Sequence, residues 1–191
     1  LARLEGPERG RLETREAEAG PLIARAIESL GDKPARKRVA IVSDAPAGLS
    51  LRADEGLLEQ ALVNLLDNAV KYSPDGGEVR VTATVDGDSV AFTVRDHGPG
   101  VPAKDAGRLF ERFYRVDRAR SRELGGTGLG LAIVRHIALA HGGDASVASR
   151  EGDGCAFTLR VPRRPRDADE AVDVDSVQAG SPDGDTATTS S

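Results

Sequence analysis

The chain has 191 residues, 39% of them hydrophobic, with 26 Lys or Arg against 31 Asp or Glu and a net charge of −5 with histidine neutral. That length suits one domain with a real core, and the charge argues against nucleic acid as the main partner. No apolar run of about 18 residues is present to cross a membrane as a helix, and a single cysteine excludes an internal disulfide and fits a reducing compartment.

Aromatic residues are only 3%, so the core must be built from Leu, Val, Ile and Ala. There is no methionine, even at position 1, and the chain reads as a piece of a longer protein. Residues 1–20 are rich in Glu, Arg and Gly, and Leu1 to Glu5 reads as the last turn of a helix begun upstream. Pro21 suits a helix start, with Leu22, Ile23, Ala26, Ile27 and Leu30 as its apolar stripe. Val39 to Val42 reads as a strand. Asp54 is placed to cap a long helix to Tyr72, whose Leu57, Leu58, Ala61, Leu62, Leu65, Leu66 and Ala69 recur at helical period. Residues 79–85 and 90–94 alternate around Asp86-Gly87-Asp88 as a hairpin.

Residues 97–125 form a long connection with seven basic residues against four acids, the kind that is usually functional or disordered. Gly128 to His141 reads as a helix ended by Gly142-Gly143. Ala145 to Ser149 and Ala156 to Val161 read as two last strands. Residues 167–191 hold seven acids and no Lys or Arg, a composition that predicts disorder and leaves the remainder nearly neutral.

Three blocks carry chemistry. On the 54–72 helix, Asn64, Asn68 and Lys71 sit at i, i+4 and i+7 and share one face, with Tyr72 beside them. An amide oxygen suits Mg²⁺ and a lysine suits phosphate; a solvated helix face is the alternative. Asp96 follows a strand and precedes Gly98 and Gly100. Its carboxylate can accept from the exocyclic amine of adenine beside a tight turn; an ordinary loop is the alternative. Gly126-Thr127-Gly128-Leu129-Gly130 opens a helix, so free N–H groups and the dipole face whatever lies before it. A flexible hinge is the alternative there.

Together with Phe110-Glu111-Arg112-Phe113-Tyr114-Arg115 between them, these blocks resemble the catalytic ATP-binding domain of bacterial sensor histidine kinases. Asn64–Tyr72 resembles the N box, Asp96–Gly100 the G1 box, Phe110–Arg115 the F box and Gly126–Gly130 the G2 box. His141-Gly142-Gly143 and Phe157–Pro162 match the family's closing pattern. The resemblance implies an α/β two-layer sandwich, the Bergerat fold, with a mixed sheet covered on one face by helices. It implies ATP and Mg²⁺ as cofactors. By it, Asn68 holds the metal, Asn64, Lys71 and Tyr72 contact the nucleotide, and Asp96 reads adenine. Residues 97–125 become a mobile lid, and Arg115 approaches the phosphates. Gly98, Gly100, Gly126, Thr127, Gly128, Leu129 and Gly130 complete the cradle.

Related ATPases of the fold place a glutamate four residues before the metal-binding Asn to activate water; here that position is Asn64. An amide is no general base, so Asn64 and Arg115 point to phosphoryl transfer rather than hydrolysis. The family's acceptor histidine is not found, because His97, His136 and His141 lack its context. Cys155 stands where the family commonly has Thr near the adenine, and a small buried strand residue is the alternative reading of it. The expected organisation is the end of a dimerisation helix and linker over 1–20, the catalytic domain over 21–165 and an acidic tail over 166–191. The expected partners are the chain's own dimerisation and histidine-phosphotransfer domain and a response regulator. The whole protein is expected to be a homodimer on the cytoplasmic side of a membrane-anchored sensor, with the membrane met only through other segments. A non-catalytic ATP-dependent binding module and an anti-sigma-type serine kinase of the same fold are the competing readings.

Overall fold

Asp54 starts the longest described helix, α3 (Glu55–Tyr72), by accepting the Leu57 N–H on its carboxylate at 3.1 Å. This satisfies one of the orphan donors of the first turn. Leu58, Ala61, Leu62, Leu65, Leu66 and Ala69 all point inward, as the 3.6-residue period requires. The computed structural model describes residues 12–116 and 127–164. Before α3 come β1 (Arg15–Glu18), α1 (Ala19–Glu28), α2 (Lys33–Arg36), β2 (Ala40–Asp44) and β3 (Ser50–Ala53). After it come β4 (Glu78–Asp86), β5 (Ser89–Arg95), α4 (Ala103–Ala106), α5 (Gly130–Ala140), β6 (Asp144–Ser149) and β7 (Cys155–Pro162).

The main sheet has five strands in the order β2-β4-β5-β7-β6, with β2 parallel to β4 and the other pairs antiparallel. Period-2 alternation sends Val79, Val81 and Ala83 of β4, Val90, Phe92 and Val94 of β5, and Phe157, Leu159 and Val161 of β7 to one face. α1, α3 and α5 pack on that side, so the fold is a two-layer α/β sandwich with a mixed sheet, the expected class.

β1 and α2 are not among the expected elements. β1 pairs antiparallel with β3 in a separate two-stranded sheet. Its sequence, Arg-Glu-Ala-Glu, buries only Ala17 and carries no apolar alternation to read. α1 begins at Ala19, ahead of Pro21, and α5 begins at Gly130 rather than Gly128.

His141 is buried at the C-terminal end of α5 and pins it to α3. The Asp54 N–H donates to its Nε2 at 3.1 Å, so the ring proton sits on Nδ1, which donates to the Ile137 carbonyl at 2.8 Å. His97 and His136 are exposed.

Candidate active site

Two glycines join the three blocks. A Cβ on Gly130 would lie 3.4 Å from Asn64 Oδ1, so the start of α5 rests against the polar face of α3. A Cβ on Gly98 would lie 2.7 Å from the Tyr72 carbonyl, so the turn after β5 rests against the end of the same helix. Between them opens a cavity of about 910 Å³. Asn64, Asn68, Lys71 and Tyr72 line it from α3, and Asp96 and Gly100 from the turn. Arg115, Thr127, Gly128, Leu129 and Gly130 close the other side. Gly98 packs beneath the cavity instead of lining it. Gly126 lies outside the described residues, as do 117–126 of the expected lid.

One end of the cavity is walled by a buried acid. Asp96 is only 2% exposed, and its Oδ1 accepts the Gly98 N–H at 2.8 Å. Burial pushes its carboxyl up from the usual range, opposed by the backbone N–H groups of Gly98 and Cys155 and by His97 and Arg95. Cys155 also lines the cavity and is buried at the head of β7, so it is both a strand residue and a wall of the site. Burial pushes its thiol up, and the nearby Asp96 carboxylate pushes the same way.

The opposite end brings two cations, Lys71 and Arg115, close together, with Asp67 the carboxylate nearest Lys71. Lys71 is pushed down by burial, raised by Asp67 and lowered again by the nearby Arg115. The Nε and Nη2 atoms of Arg115 are buried and have no hydrogen-bond partner among the described residues. Leu129 precedes α5 as its N-cap and makes no side-chain cap, so the helix's first N–H groups are also open. Each buried donor left without a partner costs about 1–3 kcal/mol unless a ligand completes it. This arrangement fits a polyphosphate.

A divalent ion fits on the same terms. No group of three or more His, Cys, Asp or Glu that could hold a metal exists among the described residues. Asn68 lines the cavity with one hard oxygen, and phosphate oxygens and water would supply the other ligands of such an ion, the usual mode for Mg²⁺.

The root of the lid is folded onto the sheet. Phe110 is buried edge-on to Phe157, their ring centroids 6.3 Å apart. The Tyr114 hydroxyl donates to Asp105 Oδ1 at 2.7 Å, and the Arg108 guanidinium lies 4.3 Å from the Tyr114 ring centre. Phe113 takes φ +64 and its N–H donates to the Gly128 carbonyl at 2.9 Å, bringing the two described ends of the lid together. Lys33, Lys37, Asp67, Val101, Leu109 and Tyr114 also line the cavity and were not expected there. Lys33 and Lys37 come from around α2, which has no motif. Asp67 and Tyr114 adjoin residues that do, and their place beside Asn68 and Arg115 is the signal that was available.

The family profile of histidine kinase-, DNA gyrase B- and HSP90-like ATPases matches residues 53–165. The sensor-like histidine kinase SenX3 of Mycolicibacterium smegmatis is 42% identical over 166 residues, 86% of this chain and 43% of that protein. The chain thus spans less than half the length of that relative. Full-length ShkA in complex with AMPPNP superposes with a TM-score of 0.71 at 34% identity, covering 83% of this chain and 33% of that one. The histidine kinase ThkA in complex with the response regulator TrrA superposes at 0.68 and 25% identity, covering 81% of this chain and 43% of that one. This chain belongs to the histidine kinase-, DNA gyrase B- and HSP90-like ATPase family, and within it is homologous to the ATP-binding catalytic domain of sensor histidine kinases.

Proposed function

We propose that the cavity binds Mg²⁺-ATP and directs its γ-phosphoryl group to a histidine of a dimerisation domain, for relay to a response regulator. The observation that carries this reading is the pair of buried Arg115 guanidinium nitrogens, Nε and Nη2, without a partner among the described residues, beside Lys71 and the open start of α5. Asp96 would accept the adenine amine on Oδ2. Lys71, Arg115, Asn64 and the N–H groups at Gly128–Gly130 would take phosphate oxygens, with Tyr72 at the edge of the same site. Asn68 would hold the metal. When bound, ATP supplies the phosphoryl group and Mg²⁺ screens its charge; the chain's own part is to align and to neutralise.

Asn64 is an amide and cannot take a proton from water, so the site should hold ATP with slow hydrolysis. Likeness to a kinase solved with AMPPNP supports ATP, and likeness to one solved with a response regulator supports that partner. In this reading the chain before Arg15 is the end of a dimerisation helix and linker and 166–191 a tail, and the catalytic domain begins at β1 rather than at Pro21, since Ala17 and Ala19 lie in its core. The whole protein is a dimeric sensor with this part on the cytoplasmic side of a membrane.

The test is radiolabelled ATP with this chain alone, with its dimerisation domain added, and with that domain's histidine changed to alanine. Label is expected only on the added domain with its histidine intact. Label held stably by this chain alone, or by the alanine variant, would favour another acceptor.

A further inference from the structure

The strap that follows β5 is fastened to the β6–β7 hairpin at three points. The Asp96 N–H donates to the Cys155 carbonyl at 2.9 Å, the Gly152 N–H to the Pro99 carbonyl at 2.8 Å, and the Val101 N–H to Ser149 Oγ at 2.8 Å. The first two fastenings are backbone on both sides. The third uses a side chain, so it alone can be cut by substitution without moving the main chain by design.

Ser149 Oγ also donates to the Gly154 carbonyl at 3.0 Å and lies 3.2 Å from Cys155 Sγ. A hydroxyl has one proton and two lone pairs. The proton goes to Gly154, and one lone pair takes Val101. The other is left for Cys155, whose S–H must therefore be the donor. Every valence of this hydroxyl is used, and all three partners belong to the wall around Asp96. Cys155 lines the cavity, whereas Ser149 does not reach it.

The strap and the hairpin pack backbone against backbone. A Cβ on Gly100 would come within 2.0 Å of the Arg150 carbonyl, and one on Gly154 within 2.1 Å of the Asp96 carbonyl. The position of the strap thus sets the direction of the Asp96 carboxylate, whose Oδ1 is already tied to Gly98 within the strap.

We propose that Ser149 is a positioning residue for base recognition: its hydroxyl holds strap 96–101 on the hairpin and orients the Cys155 thiol, so that Asp96 discriminates a 6-aminopurine from a 6-oxopurine. This rests on the nucleotide reading above and adds to it a residue outside the four boxes. The discrimination follows because a 6-oxopurine places an acceptor against the carboxylate, and two facing acceptors are penalised only while the carboxylate is held in place.

The experiment compares ATP with inosine triphosphate by calorimetry, in the native chain, Ser149→Ala and Ser149→Thr. In Ser149→Ala, ATP affinity should fall about fivefold and inosine triphosphate affinity less than about twofold, the size expected for one lost hydrogen bond acting through a neighbour. Ser149→Thr keeps a hydroxyl and should restore the ratio. A merely destabilised domain would lower both affinities together. An unchanged ratio in folded Ser149→Ala, or a threonine variant that behaves like alanine, would overturn the proposal. Infrared spectroscopy gives a second reading on the native chain, whose single cysteine makes the S–H band unambiguous. The band should lie below that of a free thiol; a free-thiol band would overturn the proposal even if Ser149→Ala does not fold. A native chain that binds neither nucleotide would instead overturn the nucleotide reading itself.

Discussion

The two ends of the cavity are built on different principles. Around Asp96 the wall is backbone on backbone: the strap and hairpin exchange main-chain hydrogen bonds, and Gly100 and Gly154 bring carbonyls closer than any side chain would allow. Around Arg115 the wall is side chains and helix ends, with two cations close together and donors left open. The first end is finished without a ligand, and the second is finished by one. A rigid end recognises, because a carboxylate that cannot turn penalises the wrong base. An incomplete end responds, because an anion there relieves repulsion and desolvation at once.

Substituting glycines separates the two ends most sharply. Gly154 has φ +81 and would press a Cβ to 2.1 Å from the Asp96 carbonyl. Gly154→Ala should therefore cost about 3 kcal/mol or more. Gly128 has φ +73 but would meet the Phe113 backbone at 3.0 Å, a much looser approach. Gly128→Ala should cost about 1–2 kcal/mol. Urea midpoints check both, and equal losses would erase the contrast.

Asp96→Asn should weaken ATP by about 10–100-fold in calorimetry, since an amide must reorient to offer its oxygen and strands a donor in a buried wall. The same carboxylate sets a pH dependence. Its native pKa is raised, so the folded protein holds this proton more firmly than the unfolded chain does. Its contribution to stability is fully present below the unfolded pKa and is lost as pH rises through the native value. Adenine needs the ionised form and runs the opposite way. ATP affinity should fall on acidification earlier than for an ordinary carboxylate, and Asp96→Asn should remove that fall. An identical pH profile in the variant would take Asp96 out of the base site.

Arg115→Ala should have the smaller effect on affinity, about tenfold, because Lys71 and the α5 amides remain. Its effect on stability should be neutral or favourable, since it removes buried donors that have no partner among the described residues. A marked drop in melting temperature would mean that Arg115 is structural.

The parts readable in the sequence were those with a local rule behind them. The stripe from Leu57 to Ala69, the Asp54 cap and the alternation of β4, β5 and β7 are each decided by neighbours a few residues away. The blocks at 64–72, 96–100 and 126–130 were readable because their residue types, order and spacing are unusual together. β1 was not readable, since three of its four residues are charged and its pairing with β3 is decided across more than thirty positions. Lys33, Lys37 and Val101 reach the cavity only through the packing of α2 and the strap. Ser149 reads as one more polar residue on a strand; its three partners are brought to it by tertiary structure.

Hydrogen exchange with and without Mg²⁺-AMPPNP tests the contrast between the two ends most directly. Amides of 96–101 and 149–155 should already be protected in the free chain and change little. Those of 110–116 and 127–132 should exchange faster in the free chain and slow strongly on adding the nucleotide. Equal slowing at both ends, or slowing confined to 96–101 and 149–155, would contradict a finished base site beside a ligand-completed phosphate site.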